Sequence, residues 1–406
     1  MTNRKQMQAQ GAGKLTYNWR VSGLATINRS EPGKLVLNRA QNSGTVTITA
    51  TISNGGPGVS ASTTIEVKEP NYDAWVQRVP GKNEKPQDNQ FYARDDTNQG
   101  TAYCNGTLTQ AADALLLKLY SDNKLITMLA QKPDQGGAYS FAVKLKPGLI
   151  KYRIELVAKT DDQETILHQA ANLVCGDAYI IEGQSNALAT DTREQSPRET
   201  NEWIRSFATV RAAERDPTNP WCNPVWKSGR EHKAQLGWWG MELAKRLVRS
   251  RRIPICIING AAGGTRIDQH QRSESNLADP KTIYGRLLWR AREAKLTHGI
   301  RAVLWHQGES DQGAAGPDGG YGWETYQQYF VRMSAAWKQD FPNIRHYYVY
   351  QIWPNACAMG NGNGDMLRER QRTLPSLYSN MAILSTLGIQ PGGGCHYPLE
   401  GWAKFA

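Results

Sequence analysis

Residues 175–189 read CGDAYIIEGQSNALA, and the parsing of this stretch decides the fold. The apolar run Ala178, Tyr179, Ile180 and Ile181 runs straight into Gly183-Gln184-Ser185-Asn186, followed by small and aliphatic residues suited to a helix. A short apolar run closed by glycine and a hydroxyl residue predicts a buried parallel strand entering a tight turn. Ser185 then lies at the carboxyl end of the strand and the start of the next helix. Ligands collect there in open α/β sheets, and free backbone N–H groups there can hold a developing oxyanion. Serine at a helix start is equally an ordinary N-cap. This stretch alone leaves both readings open.

The downstream sequence favours the first. Apolar strand candidates at 178–182, 254–259, 301–305, 347–353 and 381–387 alternate with helical patterns at 240–252, 283–296, 326–338 and 365–374. That alternation predicts a three-layer α/β/α unit with a parallel sheet between helices. The chain before it reads as all-β. TYNWRV, KLVLNRA, GTVTITATI and STTIEV look like an immunoglobulin-like module over residues 1–70, of the kind appended to secreted carbohydrate enzymes, and 68–71 reads as a linker. TAYCNGTLTQ, ALLLKLYSD, KLITMLAQ, AYSFAVKL and KYRIELVAK predict a β-sandwich over residues 71–172. The α/β/α unit takes residues 173–406.

Four strand ends in that unit carry unusual residues. The first is Gly183-Gln184-Ser185-Asn186. The second is Gly260-Ala261-Ala262-Gly263-Gly264-Thr265, whose double glycine lets backbone approach a ligand. The third, His306-Gln307-Gly308-Glu309-Ser310-Asp311, is poor core material directly after a buried strand and calls for a ligand or a polar network. The fourth, Gly392-Gly393-Gly394-Cys395-His396, sets a lone histidine in a glycine-rich loop. A lone histidine is commonly structural, but its place at the same sheet edge makes it a candidate base. Nucleophile, base and oxyanion donors are the parts of acyl transfer.

Composition narrows the class. The 406 residues are 39% hydrophobic and 21% charged, with no apolar run as long as a membrane span. Net charge is +11, but the basic residues are dispersed. Their one cluster, from Lys245 to Arg252, closes an amphipathic helix where cations suit the dipole, so no nucleic-acid partner is expected. The 6 cysteines form no CxxC pair, and neither a metal nor a cofactor is expected. Thirteen Trp and 17 Tyr against 6 Phe favour a sugar ligand, since amphipathic rings stack on sugar faces.

GDAYIIEGQSN, the GGT of the second loop, LWHQGESD and the late histidine resemble the sialate O-acetylesterase and acetylxylan esterase branch of the SGNH hydrolase superfamily. Gly240-Met241-Glu242-Leu243-Ala244 and Leu367-Arg368-Glu369-Arg370-Gln371 fit the same branch. The resemblance covers roughly the last three-fifths of the chain. It implies an SGNH-type, flavodoxin-like fold and a serine carboxylesterase that removes O-acetyl groups from acetylated oligo- or polysaccharide, either plant polysaccharide such as xylan or xyloglucan, or sialic acid. By it, Ser185 is the nucleophile and His396 the base. The oxyanion is held by the N–H groups of Ser185 and of Gly263 or Gly264. The family asparagine is absent from the third block, and Gln307 is expected to replace it.

The family also carries aspartate three residues before the histidine, where this chain has Gly393. A backbone carbonyl, or an acid from elsewhere with Glu309 and Asp311 first, is expected to orient His396. A carbohydrate-binding protein on an impaired esterase scaffold is the alternative this departure raises. Gln184, Asn186, Arg266, Trp238, Trp239 and Trp323 are expected at the substrate rim, with the loop 312–323 as a wall or lid. A secreted or periplasmic location is expected. Both ends of the chain look cut, with a signal peptide and the rest of a closing helix lying outside it.

Overall fold

The computed structural model describes residues 14–161, 163–191, 200–208, 221–228, 234–313, 322–354, 356–358, 363–389 and 394–406. Strand Gln163–Gly183 runs through the centre, 21 residues long. Its first half pairs antiparallel with Tyr152–Thr160, and its last residues pair parallel with Ile255–Asn259 on one side and Ile300–His306 on the other. The sequence pattern puts the end of the β-sandwich at residue 172 and the next strand at 178. The strand instead crosses both positions without a break, because Leu173, Val174 and Cys175 are fully buried and continue the pairing.

The parallel sheet has the spatial order Ile204–Phe207, Ile255–Asn259, Gln163–Gly183, Ile300–His306, His346–Tyr350, Met381–Leu384. Strand order reverses beside the long strand, which makes that strand's carboxyl end the crevice of the sheet. Helices Trp238–Arg251, Ile283–Glu293, Trp323–Asp340 and Gly364–Thr373 match the expected pattern within a few residues at each end. Edge strand Ile204–Phe207, with all four residues buried, is too short to show periodicity in the sequence.

Upstream, strands Ala114–Ser121, Lys124–Gln131 and Tyr152–Thr160 join the first half of the long strand, and Gly100–Thr107 and Ala138–Leu145 pair antiparallel as a separate two-stranded sheet. Leu117, Leu119, Phe141, Leu145, Ile154 and Leu156 fill the core they share. The most N-terminal strands form a three-stranded antiparallel sheet and a separate hairpin. Leu24, Ala25, Ala40 and Val46 are buried in the same core as Trp305, Phe330 and Trp337 of the α/β unit. Gln41 adds a hydrogen bond to the Tyr347 hydroxyl at 2.8 Å.

Two buried arginines tie the layers. Arg205 donates to the carbonyls of Asn89 and Asn172, the latter at a left-handed residue in the long strand. Arg290 donates to Phe207, Ala208 and Asn259 carbonyls at 3.0, 3.1 and 2.6 Å. Burial lowers the Arg290 guanidinium to about 10. Arg290→Met would leave three buried carbonyls without that donor. At about 1 kcal/mol or more per orphaned acceptor, a loss of about 3 kcal/mol is expected. The check is a lower urea midpoint at unchanged slope.

Candidate active site

Gly183 ends the long strand at φ 136°, and a β-carbon there would fall 2.1 Å from the His306 carbonyl oxygen. Only glycine lets the strand end lie so close to its neighbour, and Gln184 N–H then donates to His306 O at 3.0 Å. Ser185 opens a single helical turn, Ser185–Leu188, which stops at Ala189 in the left-handed region. The helix start expected here is this one turn.

Ser185 Oγ lies 2.9 Å from His396 Nε2, and His396 Nδ1 lies 2.7 Å from Asp191 Oδ2. The three side chains form one line. Asp191 is 72% exposed at its side chain and carries no mark in the sequence, since nothing in its spacing shows that the chain turns back on the histidine. The carboxylate beside His396 is therefore neither Glu309 nor Asp311. Both are fully buried on the short turn Glu309–Asp311 and are engaged inward. Glu309 accepts from Asn186 Nδ2 at 2.7 Å, and Asp311 accepts from Ile267 N–H at 3.0 Å and from the Gln307 amide. Gly393 lies outside the described residues, as do residues 314–321 of the expected lid.

The histidine loop is anchored three times. Cys395 is disulfide-bonded to Cys357, Cys357 N–H donates to Gly394 O at 2.7 Å, and Asn186 Nδ2 donates to Cys395 O at 3.1 Å. The loop 260–265 comes up on the other side. Ala262 N–H donates to Gly183 O at 2.9 Å, and a β-carbon on Gly263 would sit 3.9 Å from Ser185 Cβ. Gly263 and Gly264 are exposed, and neither the Gly263 nor the Ser185 N–H donates to a described backbone acceptor.

A model of the carbohydrate esterase family of sialic acid-specific acetylesterases matches residues 175–396. The chain belongs to that family. It is a carbohydrate O-acetylesterase. No curated protein matches it in sequence. Among solved structures, XAC1771, a carbohydrate acetylesterase from Xanthomonas citri, superposes with a TM-score of 0.50 at 18% identity, covering 79% of this chain and 71% of that one. A protein from Arabidopsis thaliana gives 0.43 at 21% identity over 56% of this chain and 93% of its own. A family two carbohydrate esterase from Cellvibrio japonicus gives 0.30 at 12% identity over 96% and 94%.

Several expected positions in the esterase are corrected by burial. Gln307 is fully buried, and its amide nitrogen faces Thr265 O, Gln184 Oε1 and Asp311. Two N–H groups against three acceptors leave none for an oxyanion. Gln184 is buried too, its oxygen accepting from Gly308 N–H, Ser310 N–H and Gln307, so it is not at the rim. Asn186 likewise lies inside, joining the Ser185 turn to the histidine loop. Trp239 is a core residue whose indole donates to Ala187 O at 3.0 Å. Trp238 packs edge-on against Trp226, and Trp323 lies under the Arg370 guanidinium. Arg266, half-buried beside the glycine pair, makes two bonds to Asp268 at 2.9 and 3.0 Å. Among the described residues, no three His, Cys, Asp or Glu side chains gather as a metal site.

Burial pushes the Asp311 carboxyl up to about 7, against the opposing hydrogen bonds from Gln307 and Ile267. The folded state thus holds this proton to higher pH than the unfolded chain does. The resulting stability is full below about 3.8 and lost as pH rises through about 7. Asp311→Asn keeps the shape and cannot ionise. Its Tm should fall less than the parent's between about pH 4 and pH 7, as thermal melts across that range would show.

Proposed function

We propose that the esterase works through an acyl-enzyme on Ser185, with His396 as general base and Asp191 as the carboxylate that orients it. The observation that carries this reading is the unbroken line Asp191–His396–Ser185 at 2.7 and 2.9 Å. His396 Nε2 takes the Ser185 proton as Oγ attacks the acetyl carbonyl, and Nδ1–H stays on Asp191, which fixes the tautomer. The tetrahedral oxyanion faces the Ser185 and Gly263 N–H groups. His396 then protonates the departing sugar hydroxyl, and water removes the acetyl group by the same route.

The substrate is an acetylated neutral plant polysaccharide such as xylan or xyloglucan. Arg266, two residues after Gly264, already carries Asp268 as a counter-ion, which suits a neutral sugar better than a carboxylate-bearing one. The β-rich segments upstream, which we take as immunoglobulin-like and β-sandwich modules over 1–70 and 71–172, act as platform and spacer. The Cys357–Cys395 disulfide favours an oxidising compartment, secreted or periplasmic. Among the described residues, no helix is long and apolar enough to cross a membrane.

Acetate release from acetylxylan, from O-acetylated sialic acid and from 4-nitrophenyl acetate tests the reading. Ser185→Ala and His396→Ala should each lower kcat by about 10³-fold or more, and combining them should add little. Asp191→Asn should lower kcat by about 10²-fold, with KM nearly unchanged. Parent-like turnover in Ser185→Ala would overturn the mechanism. Faster release from sialic acid than from xylan would overturn the substrate.

A further inference from the structure

Beneath the loop 260–265 lies a buried chain of polar groups that the acyl-enzyme mechanism does not use. Glu182, the residue before Gly183, is 2% exposed, and His270 is 1% exposed. Glu182 Oε1 lies 2.8 Å from His270 Nδ1, and His270 Nε2 lies 2.8 Å from Thr265 Oγ1. Thr265 Oγ1 donates to Ala262 O at 2.7 Å. A hydroxyl has one proton, and here it goes to Ala262. Thr265 must therefore accept from His270 Nε2–H, which leaves Nδ1 turned to the carboxyl group.

The far end of these linked groups sets the loop. The Ala262 carbonyl and the Gly263 N–H belong to one trans peptide, so fixing the carbonyl fixes the opposed direction of the N–H. The preceding peptide is held as well, by Ala262 N–H on Gly183 O. The sequence has made room for the arrangement: a β-carbon on Gly260 would fall 2.2 Å from Glu182 Oε2. The His270 ring stands edge-on to Trp305, with centroids 5.1 Å apart, which holds its plane.

We propose that Glu182, His270 and Thr265 are positioning residues that aim and polarise the Gly263 N–H at the transition-state oxyanion. A donor fixed in direction before the reaction stabilises charge that a freely turning exposed loop would not. The inference rests on the acyl-enzyme reading of Ser185. It assigns a role to Glu182 and His270 in particular, which touch neither substrate nor reacting atoms.

The test compares Thr265→Val, Thr265→Ser, Glu182→Gln and the double variant Thr265→Val/Glu182→Gln on 4-nitrophenyl acetate, with thermal melts as the folding control. Thr265→Val removes the hydroxyl at nearly constant volume. Its kcat should fall about 10- to 100-fold with KM within about twofold, and Thr265→Ser should recover most of the loss. The double variant should be no slower than the slower single one, because the three side chains act as a unit. Parent-like kcat in a folded Thr265→Val, failure of serine to rescue, or fully additive losses would each overturn the proposal. Ser185→Ala separates the two readings. If it is inactive while Thr265→Val turns over like the parent, the positioning role fails and the acyl-enzyme stands. If Ser185→Ala retains turnover, the acyl-enzyme reading itself fails.

Discussion

The contact of Gly183 with the His306 carbonyl is the constraint on which the site depends. It sets the end of the long strand against its neighbour and brings the Ser185 turn beside the block that follows Trp305. Because strand Gln163–Gly183 also forms part of the upstream sheet, the same backbone carries the β-rich segment and the serine. Asp177, where the strand enters the parallel sheet, holds Arg94 from the upstream segment and Arg301 from the neighbouring strand at 2.7 and 2.8 Å. A shift in one unit would therefore reach the other through backbone rather than through a linker.

Burying so many polar groups under the Ser185 turn is unfavourable unless each finds a partner. Gln184, Asn186, Gln307, Glu309 and Asp311 meet part of that demand through one another and through backbone N–H and C=O groups, while Gln307 Oε1, Glu309 Oε2 and Asp311 Oδ1 have no hydrogen-bond partner among the described residues. Such a network has few alternative arrangements, because moving any member orphans another. Rigidity is what an oxyanion site requires. The polar residues of the third block thus serve the chemistry from below, by fixing where Ser185 and the glycine loop can sit.

The fold was legible because its signals are repetitive: apolar runs, turn residues and helical periods recur at spacings that only a wound parallel sheet satisfies. Ser185 and the glycine pair stood out because each follows the end of a strand, and His396 because it is a lone histidine in a glycine-rich loop. Burial inside a loop has no such period. GQSN and HQGESD look like exposed polar stretches, yet nearly all of their side chains point inward, because the backbone N–H groups of turns supply partners that a sequence does not display. Trp238 and Trp239 are adjacent, and the helix sends one into the core while the other stays half-buried. Ala244 and Val248, the buried residues farther along the helix, lie on a different face from Trp239, so helical periodicity does not mark which Trp is buried. Asp191 had no signal of any kind, since its place beside His396 follows the left-handed Ala189 and belongs to no strand or helix period.

The histidine and the serine reach the site by different physical means. Ser185 is placed by a sheet, through hydrogen bonds that are buried and shared with the core. His396 is placed by a covalent link and two backbone contacts on a loop that the sheet does not support. Its side chain is 28% exposed and its partner Asp191 far more so, so the Asp191–His396 attraction acts in a high dielectric and contributes modestly. Orientation, more than charge, is what Asp191 can supply there. In the proposed mechanism the stronger electrostatic work then falls to the side of the site that is dry beneath: the loop 260–265, backed by Glu182 and His270.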